Sequence, residues 1–391
     1  MSTWPGKFVI GLTGNIATGK SVVRKMLEHL GAYGIDADAL AHRAIAKGAP
    51  GYAPVVKTFG NWILGDDGEI DRRKLGRLAF ADPEVMRQLE EIIHPLVGQA
   101  VDWLAKRSPK KVIVIEAIKL LESDLRKHCD SVWVVVAPPE EQLRRLMEKR
   151  GLTREEAEAR IKAQPSQKAK IAAAEVVIYN DGSFEKTWEQ VKKAWNLVVP
   201  KDRPTIPLSE ALRRAKALQP AQKGEAAPAA AQLEVKKAGP KQAKEIAAFL
   251  TKVTGKEVSR ADVLAAFGEK AYLLLYRGDE VVGLLGWQVE NLVSRVNEFY
   301  LLPDVPLEEA APLMLTEMER GSKELQCEAA LFFLPPALAK HTQLWGNLGY
   351  TVRTPESLGM RAWQEAARES RPEGTVMLFK QLRQDRILQP L

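Results

Sequence analysis

The sequence is poor in cysteine, in paired histidines and in long apolar runs. Its two cysteines, Cys129 and Cys327, lie far apart in a chain of 391 residues. That excludes a disulfide framework or a cysteine-rich zinc site and suits a reducing compartment such as the cytoplasm. The five histidines form no H-x-x-x-H metal pair. No apolar run reaches the roughly 18 residues of a membrane-crossing helix. Met1–Lys7 lacks a basic stretch ahead of an apolar core, so no secretory signal is expected. Leu218–Gln232 (LQPAQKGEAAPAAAQ) has no aromatic residue and reads as a linker, spanning roughly 20 Å if flexible. The chain as a whole is 46% hydrophobic and 27% charged, enough for two or three packed domains. The net charge of +7 is uneven: residues 1–200 hold 31 basic and 26 acidic residues, 201–244 hold 10 and 4, and 245–391 hold 16 and 20.

Apolar runs at Phe8–Leu12, Tyr33–Ile35, Lys111–Ile115, Ser131–Val136 and Val176–Tyr179 alternate with helical patterns. Runs apolar on both faces, such as Val112–Ile115, predict an α/β fold with a doubly wound, five-stranded parallel sheet. Ser209–Leu218 reads as a basic helix with a serine cap. This divides the chain into a phosphate-loop domain over 1–204, a basic helix and linker over 205–232, and an α+β domain over 233–391. In the last, Leu233–Val235 is a strand, Gln242–Thr251 a helix and Ala271–Trp287 a hairpin turning at Gly278-Asp279. Val293–Leu301 is a strand, Leu307–Ser322 a helix and Ala329–Leu334 a further strand.

Gly14-Asn15-Ile16-Ala17-Thr18-Gly19-Lys20-Ser21 fits G-x-x-x-x-G-K-[ST] between an apolar strand and a helix opening at Val22. Such a loop turns backbone N–H groups onto a polyphosphate at a helix N-terminus. Lys20 would bridge the β- and γ-phosphates, and Ser21 would ligate Mg²⁺. The loop alone leaves a GTPase, a motor ATPase or a small-molecule kinase open. No N-K-x-D reads guanine, and Val112–Ile115 ends in Glu116 where a motor would have Asp. Asp36 and Asp38, at the end of the second strand, point the same way if the chain there is extended. One then serves as base for an acceptor hydroxyl and the other as a ligand to a Mg²⁺-bound water or as a helix cap. Arg144, Arg145, Lys149, Arg150, Arg154, Arg160 and Lys162 form a basic run in which Lys149 or Arg150, before Gly151, is the candidate phosphate-closing residue.

Together these residues resemble the dephospho-CoA kinase family, from Phe8 to about Trp195. Supporting matches are Ile35-Asp36-Ala37-Asp38, Asp67-Gly68-Glu69-Ile70-Asp71-Arg72, Ile93-His94-Pro95-Leu96, Leu120-Leu121-Glu122, Ala163-Gln164 and Asn180 with Gly182-Ser183. The resemblance implies ATP and dephospho-CoA as partners, Mg²⁺ as cofactor, and phosphorylation of the ribose 3′-hydroxyl in the last step of CoA synthesis. It implies Asp38 as base, Asn180 and Gly182 beside the adenine, and an acceptor side with Asp36, His94, Leu120 and Glu122. The insertion Arg72–His94 is where that family builds its helical CoA-binding region. Lys119 stands where the family has proline, and the family's lid arginine falls on Lys149 or, shifted by one, on Arg150.

Residues 233 to about 383 resemble, more weakly, a GNAT acetyltransferase fold, ending in Trp345-Gly346-Asn347-Leu348-Gly349-Tyr350. That fold holds acetyl-CoA pyrophosphate on a Gly-rich loop. The corresponding Pro303-Asp304-Val305-Pro306-Leu307-Glu308-Glu309 has no glycine, two prolines without N–H and three acids. No acetyl transfer of the usual kind is expected, and the domain reads as structural or regulatory. Another P-loop kinase and an RNA-binding role are the competing readings. The absence of a basic-aromatic motif argues against nucleic acid, and no membrane partner is expected.

Overall fold

The computed structural model describes residues 3–200, 233–290 and 292–383. The basic helix and the linker expected over 205–232 lie outside the described residues. The N-terminal sheet contains β1 (Phe8–Thr13), β2 (Tyr33–Asp36), β3 (Val112–Glu116), β4 (Ser131–Val136) and β5 (Val176–Tyr179). Their order is β2-β3-β1-β4-β5 and every pairing is parallel. All of β3 and β4 is buried, because helices cover both faces of the sheet. On one face Val9, Tyr33, Ile35, Ile113 and Val134 pack with Val97, Val101 and Leu104. On the other, Ile10, Leu12, Val114 and Trp133 pack with Val23, Met26, Leu27 and Val191. Burial of each such side chain stabilises the fold by about 1.5–3 kcal/mol relative to exposure.

The helices are α1 (Lys20–His29), α2 (Ala37–Ala44), α3 (Tyr52–Phe59), α4 (Arg72–Ala81), α5 (Pro83–Arg107), α6 (Pro139–Arg150), α7 (Arg154–Lys162), α8 (Gln167–Ala172) and α9 (Phe184–Val198). A proline within a helical pattern reads as a stop, yet α5 runs through His94-Pro95 to Arg107. Pro95 has no N–H to donate to the carbonyl of Glu91, and both residues are exposed, where solvent can stand in for that bond. The expected extended geometry at Asp36-Ala37-Asp38 is also corrected. Asp36 ends β2 and caps α2, accepting a 2.9 Å hydrogen bond from Ala39 N, while Asp38 is already in the first helical turn.

The C-terminal sheet contains β6 (Leu233–Ala238), β7 (Ala271–Arg277), β8 (Glu280–Glu290), β9 (Val293–Leu301), β10 (Ala329–Leu334), β11 (Thr351–Val352) and β12 (Val376–Gln381). Its order is β11-β12-β10-β9-β8-β7-β6. Only β9 and β10 pair in parallel, joined by the helix Leu307–Glu324. The helices Arg260–Ala266 and Arg361–Ser370 and the strand β12 were not anticipated.

The two sheets sit on a shared interface. His29 Nε2 donates to the carbonyl of Phe267 at 2.9 Å, and Lys25 Nζ donates to that of Val289 at 3.1 Å. Lys110 pairs with Glu324 at 2.8 Å. Burial, opposed by the bond to Phe267, holds the His29 imidazole down at about 4, below its ordinary 6.5. The unfolded chain therefore takes up this proton more readily than the folded one. Its contribution to stability is complete above about pH 6.5 and is lost as the pH falls towards 4. Thermal unfolding of the intact chain is expected to show a drop in Tm over that window, and His29→Asn to flatten it.

Candidate active site

The loop leaving β1 and the first turn of α1 form the phosphate cradle at the carboxyl end of the sheet, where the chain order reverses on either side of β1. Lys20 is buried and its Nζ donates to the carbonyl of Asn15 at 3.1 Å. Thr18 Oγ1 donates to the same carbonyl at 2.9 Å. The loop between α7 and α8 closes over it: Ile16 N donates to Gln164 Oε1 at 2.6 Å, and Asn15 Nδ2 to the Pro165 carbonyl at 2.9 Å. Ile16 and Ala17 pack against the cluster of Leu143, Leu146 and Ala157. Val22 lies against Gly268 of the C-terminal half.

Asn180, just past β5, donates from Nδ2 to the Thr18 carbonyl at 2.9 Å, and its Oδ1 accepts from Thr187 Oγ1 at 3.1 Å. Gly19 has φ of +91°, and a Cβ there would lie 2.0 Å from Asn180 Nδ2. Gly182 is exposed two residues further on. Arg145 of α6 was one charge among many in the basic run, yet it reaches the cradle. Nη1 donates to the carbonyls of Ala17 and Thr18 at 3.2 and 3.3 Å, and Nη2 to that of Asn180 at 2.9 Å. The side chains of Lys149 and Arg150 lie outside the described residues. Arg144 and Arg154 form exposed pairs with Glu148 and Glu158 within their own helices.

Across from Lys20, Asp38 Oδ2 accepts from Ile118 N at 3.1 Å. Burial first, then the neighbouring Asp36 carboxylate, pushes Asp38 up to about 6, against the pull of the Ile118 bond and of Lys20. Lys170 of α8 is a site residue that sequence reasoning missed. It is buried, donates to the Ile118 carbonyl at 2.8 Å, and feels the charges of Glu122, Lys20 and Asp38. No local signal marks it: a short Ala-rich helix gives no hint that its lysine turns inward.

Beside Asp38 opens a cleft of about 370 Å³. Asp38, Ala41, His42 and Ile45 form one wall; Arg72, Leu75, Met86, Ile93 and His94 form another. Lys119, in the proline position, bridges its mouth by pairing with Glu90 of α5 at 2.6 Å. Leu120 is not at the cleft. It is fully buried against Gly11, in the core beneath. Glu122 is exposed on the Lys170 side, and Asp36 is engaged as the cap of α2.

The phosphate cradle, the raised carboxyl of Asp38 and an apolar cleft with a basic rim therefore lie side by side. Comparison with known proteins shows the family. A dephospho-CoA kinase family profile matches residues 8–186. The dephospho-CoA kinase of Carboxydothermus hydrogenoformans is 42% identical over 195 residues, spanning 47% of this chain and 90% of that one. The chain belongs to the dephospho-CoA kinase family. It is a kinase of CoA biosynthesis, with ATP and dephospho-CoA as substrates. A solved Thermus thermophilus protein, TT1252, is 34% identical with a TM-score of 0.45, covering 50% of this chain and 99% of its own. A Staphylococcus aureus acetyltransferase of the GNAT family is 11% identical with a TM-score of 0.31, covering 39% of this chain and 100% of its own. Among the described residues no helix is long and apolar enough to cross a membrane.

Arg145→Lys keeps the charge but loses the planar fork that spans three carbonyls. It is expected to raise KM for ATP about tenfold, read by steady-state kinetics. Gly19→Ala is expected to displace Asn180 and remove ATP binding, measured by calorimetry.

Proposed function

We propose that residues up to about 204 form the catalytic domain, with Asp38 as the base that starts transfer of the ATP γ-phosphoryl group to the ribose 3′-hydroxyl of dephospho-CoA. The observation that carries this reading is a carboxyl raised to about 6 at the junction of the phosphate cradle and the cleft. A base with that affinity is deprotonated at neutral pH and still basic enough to accept a proton from the hydroxyl. The freed oxygen forms its bond to the γ-phosphorus as the bond to the β-phosphate oxygen breaks, and ADP leaves. Lys20 holds the migrating charge, the glycine-rich amides hold the β-phosphate, and Asn180 ties the cradle to the adenine side. Lys170 sets the field between Lys20 and Asp38.

Mg²⁺ fits the donor set. Ser21 offers an exposed hydroxyl beside Lys20, a hard oxygen of the kind this ion takes together with substrate phosphates. Among the described residues no group of three His, Cys, Asp or Glu side chains is gathered to hold a metal by itself. Bound with ATP, the ion would supply neutralisation of the β- and γ-phosphate charge.

The C-terminal half is non-catalytic in this reading. Between β9 and the helix Leu307–Glu324 the amide of Val305 is spent on the Leu302 carbonyl, and Asp304 on Arg277 at 2.7 Å. That loop offers no cradle for a pyrophosphate.

The purified chain is expected to convert dephospho-CoA and ATP into CoA and ADP. Asp38→Asn and Lys20→Ala are each expected to lower kcat at least about a hundredfold. kcat/KM is expected to fall below pH 6 as Asp38 is protonated, and absence of that limb would count against Asp38 as base. Incubation with acetyl-CoA and amines is expected to release no CoA.

A further inference from the structure

Two contacts tie the C-terminal half to the walls of the acceptor cleft. Helix α2 presents Asp38, Ala41 and His42 to the cleft, with Ile45 just past its end, a set spaced for one helical face. Arg43 points elsewhere and meets Glu328, next to β10, at 2.6 Å, with side chains only 10% and 2% exposed. The opposite wall begins with Arg72, at the start of the insertion, and the turn just ahead of it carries Asp67. There Arg361 pairs with Asp67 at 2.7 Å, and Glu365 approaches Arg72 at 3.6 Å. Arg361 and Glu365 also pair with each other at 2.8 Å, so one helix presents a fixed charged edge to the insertion. Arg72 itself lines the cleft and supplies a cation where an anionic acceptor would lie.

We propose that Glu328 and Arg361 are positioning residues for dephospho-CoA: the C-terminal half braces both walls of the acceptor cleft and so sets acceptor affinity. This rests on the reading that the cleft beside Asp38 takes dephospho-CoA. The ATP cradle is built within residues 14–21, 145 and 180; the C-terminal half meets its helix α1 at Val22, Lys25 and His29, and Glu328 and Arg361 take part in none of those contacts. The effect is therefore confined to one substrate. Glu328 works through Arg43 on the helix that carries Asp38, and Arg361 works through Asp67 on the segment that carries Arg72. Neither touches the reacting atoms.

The test uses the full chain and steady-state kinetics with each substrate varied. Glu328→Gln and Arg361→Glu are each expected to raise KM for dephospho-CoA about three- to tenfold, with KM for ATP and kcat within about twofold. Asp67→Arg is expected to do the same, and the charge-swapped pair Asp67→Arg with Arg361→Glu to recover most of the loss. Should Glu328→Gln fail to fold, the exposed Arg361–Asp67 pair decides. Unchanged acceptor KM in Arg361→Glu and Asp67→Arg would overturn the proposal. So would a joint loss of kcat and both KM values, the pattern of general destabilisation. Absence of turnover by the unaltered chain would instead overturn the reading of the cleft, a failure visible before any variant is made.

Discussion

A guanidinium withdrawn from water must be surrounded by carboxylates, and Arg24 imposes that condition on the centre of the kinase half. It is 8% exposed, and its Nε donates to Glu116 at the end of β3 at 2.7 Å, its Nη1 to Glu28 at 2.8 Å. Asp36, at the end of β2, stands 4.0 Å from Nη2. Burial alone would lower the Arg24 affinity for its proton, but the three acids raise it overall. The cost of taking such a cluster out of water is offset only when each member keeps its partner. A Cβ at Gly34 would sit 2.2 Å from Glu28 Oε1, so the neighbouring strand must approach without a side chain. Once Arg24 is placed, the ends of β2, β3 and α1 are placed with it. Asp36 then caps α2, and α2 carries Asp38. The surplus of negative charge around one buried cation also helps push Asp38 and Glu116 upward, after burial itself.

The parts of this arrangement that were legible in the sequence are those whose physics is local. β3 and β4 announce themselves because the middle of a strand buried on both faces is apolar throughout, with polar residues only at an end, Glu116 and Ser131. The phosphate loop is legible because its conformation demands particular residues at fixed spacing. Asp38 was singled out by resemblance, while its conformation was misjudged: a helix beginning at Ala37 replaces the extended chain. Pro95 reads as a stop, yet its position on the solvent side of α5 lets the helix continue. Arg145 and Lys170 could not be picked out, because their role depends on where α6 and α8 land over the loop. In the basic run every arginine looks alike until three carbonyls from two distant segments converge on one of them.

The charge distribution has a structural counterpart. The kinase half has an excess of bases and residues 245–391 an excess of acids. At the interface Lys110 and Arg43 lie on one side and Glu324 and Glu328 on the other. The contact just ahead of the insertion has the reverse polarity, Arg361 against Asp67, so the faces carry a register as well as an attraction. Such mixed patterns give specificity of docking beyond bulk charge.

The pairing of Arg43 with Glu328 also orders events during synthesis. Everything the ATP cradle needs has been translated once Asn180 and Thr187 are made, and an N-terminal unit can fold while the ribosome is still working. At roughly 5–20 residues per second, Glu328 follows Asn180 by something on the order of ten seconds. In that interval the nascent chain carries the residues of the nucleotide cradle beside a cleft whose helix α2 has yet to meet Glu328. The two substrate sites of one enzyme thus reach their final form at different times, the nucleotide side first.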